Sequence, residues 1–162
     1  MVVNIHTRTY AAPVSAVTAL MATLASPDDG VWPHESWPRM RFDHGLTPGA
    51  HGGHGPVRYR VERVDPGSEV AFTFTSPPGF HGGHAFTVTP VGVDKTRVTH
   101  EIGMRLHGWA LLTWPLFFRP LHDALLEEAL DALGLHLGEP PRQPHQRSLW
   151  VRVLRRGARL TR

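Results

Sequence analysis

The sequence predicts an α+β protein: a curved antiparallel sheet of about six to seven strands wrapped around one long C-terminal helix. Three observations carry this. Segments with period-two alternation crowd the middle of the chain, between residues 57 and 106. Short turns rich in Gly, Pro and Asp join them, which suits hairpins rather than crossovers. One long amphipathic segment follows, and no other late element is long enough to cover the apolar face of such a sheet.

Composition sets the outer bounds. The chain has 162 residues, 41% of them hydrophobic and 19% charged, the profile of one globular domain. Cysteine is absent, which excludes disulfides and thiolate metal sites. The opening "MVVNIHTRTYAAPV" has no unbroken apolar run of signal-peptide length, and "WALLTWPLFF" is too short to span a bilayer. The expected location is therefore cytoplasmic. The net charge of +3 hides an asymmetry. Residues 1–139 carry ten basic and fourteen acidic groups, a net of −4, and all seven charges after Glu139 are arginines. A basic face that grips nucleic acid specifically is not expected. The organisation expected is a domain over 1–139 and a Pro/Arg-rich basic tail over 140–162.

The elements follow in order. "VVNIHTRTY" (2–10) alternates Val3, Ile5 and Thr7 with Asn4, His6 and Arg8, a strand. In "APVSAVTALMATLA" Pro13 suits a first helical turn, and Val14, Val17, Leu20, Met21 and Leu24 recur at helical spacing. "SPDDGVWPHESWPRM" is turn-rich, "MRFDHGL" a short strand and "TPGAHGGHGP" a glycine loop. "VRYRVERV" (57–64) puts Val57, Tyr59 and Val61 on one face. "EVAFTFT" (69–75) does so with Val70, Phe72 and Phe74, and "GHAFTVTP" (83–90) with His84, Phe86 and Val88. "TRVTHEIGMRL" (96–106) turns Val98, His100, Ile102, Met104 and Leu106 one way, and Arg97, Glu101 and Arg105 the other. In the last helix Pro115 and Pro120 should delay the start or kink it. Beyond Leu121 an apolar arc from Leu121 to Leu137 opposes Asp123, Glu127, Glu128 and Asp131. "GEPPRQPHQR" is a linker, and "SLWVRVLRRGARLTR" a basic, amphipathic tail. The tail has three open fates: disorder, folding back on the acidic helix face, or a basic helix on an anionic membrane or acidic partner.

Twelve histidines carry the chemistry. "HGGH" occurs at 51–54 and again at 81–84. Four imidazoles at one end of a sheet would suit a metal, but no carboxylate stands beside either motif to orient them. Glycines also suit tight chain reversal, so both motifs read as structural turns that bind no metal. A hairpin turning near Val93 pairs Val88 with Val98, Phe86 with His100 and His84 with Ile102, which makes His84 and His100 inward diagonal neighbours. His122 falls within the apolar arc of the helix, so three imidazoles converge on one interior. Trp32 and Trp37 are placed to cap its mouth. Trp109 and Trp114 read as packing at the helix entry. A nucleophile elbow, a phosphate loop, paired carboxylates and a dinucleotide fingerprint are all missing.

The opening strand with "APVSAV", the stretch "GAHGGHGPVRYRVERVDPG", then "FTFTSPPGFHGGHAFTVTP" and "WPLFFRPLHDALLEEALD" carry a resemblance over roughly residues 3–137. The chain resembles the START-like superfamily of polyketide cyclases and dehydratases, lipid-transfer domains and birch-pollen-allergen-like proteins (SRPBCC). The resemblance implies a helix-grip fold with a hydrophobic ligand cavity. It does not fix a reaction, because one scaffold hosts carriers, sensors and cyclases. The function expected is binding of a hydrophobic small molecule, lipid or polyketide-like, without a cofactor. Tyr59, Phe72 and Phe74 are expected at that site, with His84, Phe86 and His100, and with Ile102, Met104 and His122. The alternatives are a cyclase or dehydratase using these histidines for proton transfer and Tyr59 for orientation, and an adaptor acting through the tail.

Overall fold

The computed structural model of the chain describes residues 1–160, apart from the side chains of 158–160. Seven strands form one antiparallel sheet: β1 (Val2–Tyr10), β2 (Arg41–Phe42), β3 (His51–His54), β4 (Val57–Asp65), β5 (Glu69–Ser76), β6 (Phe80–Gly92) and β7 (Lys95–Leu106). Their spatial order is β1-β7-β6-β5-β4-β3-β2, so the meander is closed at one edge by the N-terminal strand. The β6–β7 register pairs Val88 with Val98, Phe86 with His100 and His84 with Ile102, as the hairpin geometry requires. Helix α1 (Val14–Met21) buries Val17 and Met21. A short helix α2 (Ala110–Thr113), a π-helical turn (Trp114–Phe118) and α3 (Arg119–His136) then run on as one helix of 27 residues. Among the described residues no helix is long and apolar enough to cross a membrane.

Two readings of the sequence need correction, the HGGH turns and the packing of Trp109, and two others gain detail. The HGGH motifs are not turns. The first is strand β3 and the second lies inside β6. Their glycines serve close strand approach. A Cβ on Gly53 would stand 2.1 Å from the Val57 carbonyl oxygen, and one on Gly82 would stand 2.2 Å from that of Gly103. Both residues also hold positive φ, 143° and 148°. Pro115 does not delay the start of the helix, but a π-helical turn forms around it, a local irregularity of the kind its missing N–H predicts, and the helix continues. Trp109 does not pack at the helix entry but is 81% exposed, whereas Trp114 is buried against Phe80. The acidic arc of α3, opposite its apolar one, is largely covered. Asp131 is buried, and basic groups of β1 and of the tail meet Glu127 and Glu128.

The reason lies in β1, whose inward face is the polar one. Asn4, His6, Arg8 and Tyr10 point at α3, while Val3 and Ile5 face out. His6 hydrogen-bonds Glu127 (2.8 Å) and Asp123 (3.1 Å). Arg8 donates to Glu127 at 2.8 Å and also to Asp131, and the Tyr10 hydroxyl donates to the Leu130 carbonyl. Beyond this seam the apolar side of α3 enters the core through Leu125, Leu126, Leu130 and Leu133.

The tail forms α4 (Leu149–Leu160) and lies back on the domain. Arg147 makes a two-pronged ion pair with Glu128, Val151 is buried, and the Trp150 indole donates to the Leu116 carbonyl. Of the seven tail arginines, Arg162 and the side chain of Arg159 lie outside the described residues.

Gly53→Ala and Gly82→Ala should each cost more than about 2 kcal/mol in urea unfolding, since backbone must move to admit the methyl group. Gly103→Ala, with nothing within 4 Å of its Cβ, should stay within about 0.5 kcal/mol. Equal effects at all three positions would contradict the close-approach reading.

Candidate functional site

Between the sheet and α3 lies a cavity of about 340 Å³. Strands β5 to β7 supply Phe74, Phe80, His84, Phe86, His100 and Ile102, each inward because its strand alternates. The helical segment supplies Trp114, Phe118, Leu121, His122, Leu125 and Leu126. The loop before β2 brings Trp32 and Trp37 to the mouth. Asp29 fixes that loop by accepting the backbone N–H of Ala25, Val31 and Trp32. The Trp32 indole donates to the Pro38 carbonyl, and the Trp37 indole to Glu128. Arg155 of α4 closes this side. Its guanidinium stands 4.1 Å from the Trp37 ring centroid and donates to the Ser36 carbonyl.

Imidazoles are the polar groups deep in this apolar space, while Glu35, Ser36 and Arg155 line its mouth. His84 Nδ1 and His100 Nε2 are 3.1 Å apart, so one of the two rings donates to the other. The His100 ring stands 5.0 Å from that of His122. His54 packs on Trp32 and reaches Tyr59, whose ring also meets His84 edge-on at 4.7 Å. Burial keeps all four imidazoles uncharged. It pushes His54 down to about 3, assisted by the charge of Arg58, and holds His84 and His100 well below the ordinary value. Burial also lowers His122, against the pull of Asp123. Several polar atoms remain without a hydrogen-bond partner: His100 Nδ1, both ring nitrogens of His122, and the Tyr59 hydroxyl. An apolar space with neutral ring nitrogens of spare capacity in its wall can orient a ligand oxygen or accept its proton.

Of the nine residues expected at the site, Phe74, His84, Phe86, His100, Ile102 and His122 line the cavity. Tyr59, Phe72 and Met104 sit one layer behind. Tyr59 and Phe72 pack with Phe42, and Met104 belongs to the Phe80–Trp114 cluster. Sequence reasoning missed His54, because HGGH read as a loop has no inward face. It also missed Asp123, which stands 3.6 Å from His122. The adjacent "HD" pair beside Pro120 was the available signal. In each HGGH motif only the second histidine turns in; His51 and His81 are exposed.

A curved antiparallel sheet gripping a long helix over an apolar cavity defines a helix-grip protein. Residues 4–137 match the family described as polyketide cyclase / dehydrase and lipid transport, and the chain belongs to that family. Solved structures share the fold. A protein from Thermobifida fusca is 20% identical with a TM-score of 0.67, over 90% of this chain and all of that one. Norcoclaurine synthase from Thalictrum flavum, solved with a transition-state analogue, is 16% identical with a TM-score of 0.62, over 85% of this chain and 94% of its own. CalU16 from Micromonospora echinospora is 16% identical with a TM-score of 0.57, over 96% and 83%. No curated protein matches the chain.

The depressed imidazoles fix the sign of a pH dependence. In the unfolded chain they take up protons below about pH 6.5, whereas in the fold they do not. Stability is therefore full above that pH and falls as pH drops towards the folded values. His6, raised by Asp123 and Glu127 against its own burial, acts in the opposite sense and contributes most at low pH. His54→Phe should flatten the acid limb by up to about 1.4 kcal/mol per pH unit, read by urea unfolding at stepped pH. An unchanged slope would show that His54 is charged or exposed in the fold.

Proposed function

We propose that the protein binds a compact, ring-containing hydrophobic molecule, polyketide-like in character, with a polar oxygen against His84, His100 and His122. One observation carries this reading: an aromatic-walled cavity of about 340 Å³ whose polar lining keeps unpartnered ring nitrogens. The walls favour rings over a long acyl chain, because Phe74, Phe80, Phe86, Trp114 and Phe118 offer flat faces and edges. A buried nitrogen without a partner is costly, and a ligand hydroxyl or carbonyl would offset that cost. Membership of the family supports the apolar part of the reading. A cyclase or dehydratase would use the same place, with a neutral imidazole as proton acceptor. The placement of Asp123 behind His122, where it would orient the ring, favours that second reading.

2-Naphthol should bind at least about tenfold more tightly than naphthalene, which matches one hydrogen bond to a buried partner. The preference should vanish in a folded His84→Leu/His100→Leu variant, measured by fluorescence titration. Equal affinities in the parent would remove the polar anchor from the reading, and consumption of the bound phenol would favour the enzyme.

The tail has a separate proposed role. Trp150 on α4 meets exposed Leu116 and Phe117, and Leu149, Val153, Arg152 and Arg156 of the same helix are exposed. This mixed face suits an anionic membrane surface beside the cavity mouth. The full chain should sediment with phosphatidylserine-containing vesicles at low salt, and a 1–139 truncation should not. Identical behaviour of the two would rule the tail out as a membrane contact.

A further inference from the structure

We propose a divalent transition-metal site at the seam of β1 and α3, with His6 Nε2, His122 Nδ1 and Asp123 Oδ1 as its protein ligands. It is separate from the ligand-binding reading, which stands or falls without it. The three residues can each offer one ligand atom, all within 4.8 Å of one another. Asp123 Oδ1 is 3.1 Å from His6 Nε2 and 3.6 Å from His122 Nδ1. Two ligands on a tetrahedral ion with bonds of 2.0–2.1 Å stand about 3.3–3.4 Å apart, so the two separations bracket the required edge. The third edge, between the two imidazoles, lies within 4.8 Å, so the rings of His6 and His122 would have to close by up to about 1.5 Å to seat an ion.

The surroundings fit as well as the distances. The other nitrogen of His6 is 2.8 Å from Glu127 Oε1, so the ring can donate there and present its Nε2 lone pair to the ion. This is the carboxylate–histidine–metal pattern that fixes tautomer and ring orientation. Asn4 donates to Asp123 Oδ1 at 2.9 Å, and Arg119 stands 3.7 Å from Asp123 Oδ2, so the carboxylate is held from both sides. His122 has two buried ring nitrogens without hydrogen-bond partners, and coordination would satisfy the one that faces Asp123. Two imidazoles and one carboxylate suit zinc, cobalt or nickel better than calcium or magnesium. Three protein ligands leave a fourth position open, and Asp123 is the most exposed of the three. Neither HGGH motif contributes a ligand.

A proton is the rival occupant. Without an ion, His6 as imidazolium bridges Asp123 and Glu127, and the two states compete. Only His122 belongs to both the cavity lining and this cluster, so a bound ion would also fix the ring that faces the ligand.

The test uses untagged full-length chain, stripped with chelator and titrated with Co²⁺ and then Zn²⁺ at about pH 7.5, where free imidazole is mostly neutral. The expected result is one saturable Co²⁺ equivalent per chain with visible ligand-field bands, displaced by one equivalent of Zn²⁺. His6→Gln and Asp123→Asn should each weaken binding by at least about a hundredfold, and Glu127→Gln by about tenfold, as expected for a ligand and for its supporting carboxylate. His51→Ala/His81→Ala removes two exposed histidines and should change nothing. Circular dichroism identifies any variant that fails to fold, and the remaining ones then decide. No saturable equivalent in the parent, or equal loss in the His51/His81 variant, would overturn the site.

Discussion

The ion-paired seam between β1 and α3 is the constraint on which the rest depends. His6 and Arg8 on one strand meet Asp123, Glu127 and Asp131 on one helix face. These groups are partly buried, so removing one partner would leave an uncompensated charge, a loss of about 3–5 kcal/mol when the pair is fully buried. The seam clamps α3 over the β1 edge of the sheet. The concave surface of β5, β6 and β7 is therefore only partly covered, and the uncovered part is the cavity. A helix held by apolar contacts alone would be free to sink onto that surface and fill it.

The same arrangement separates charge from imidazole. Asp123 sits well below the usual carboxylate range: His122 stands beside it at 3.6 Å, His6 and Asn4 hydrogen-bond it, and together they outweigh its burial. His6 alone is drawn towards the charged form. One ring further in, His122, His100, His84 and His54 have no carboxylate of their own except Asp123 behind His122, and burial keeps them neutral. A short row of rings thus passes from a salt-bridged edge to a dry interior. The mouth is narrowed from the other side by the tail, where Arg147 and Arg155 meet Glu128, Trp37 and the Ser36 carbonyl.

Much of this was legible in the sequence wherever a pattern is local. Period two places Phe74, His84, Phe86, His100 and Ile102 inward, and the hairpin length sets the register of the β6 and β7 residues among them. The 3.6-residue pattern placed His122 among Leu121, Leu125 and Ala129. Where the deciding partner is distant, the reading failed. HGGH carries no alternation because glycine has no side chain to alternate, so two strands read as turns. The polar face of β1 is inward only because the acids of α3, more than a hundred residues later, need it. Trp109 reads as packing on composition, yet its position just before α2 leaves it in solvent. The docking of α4 depends on Trp37 and Glu128, which no motif in the tail names.

The central claim is that one edge histidine is charged while the cavity histidines are not. Long-range ¹H–¹⁵N correlation spectra of the imidazole rings in chelator-treated protein at about pH 7 test it most directly, because neutral tautomers and imidazolium have distinct nitrogen shifts. The expected result is His6 as imidazolium, with His54, His84 and His100 each in a single neutral tautomer that persists well below pH 6.5. Cavity histidines that titrate together near the ordinary value, with averaged nitrogen shifts, would contradict it. They would mean a wet, open space in place of the dry, imidazole-lined cavity.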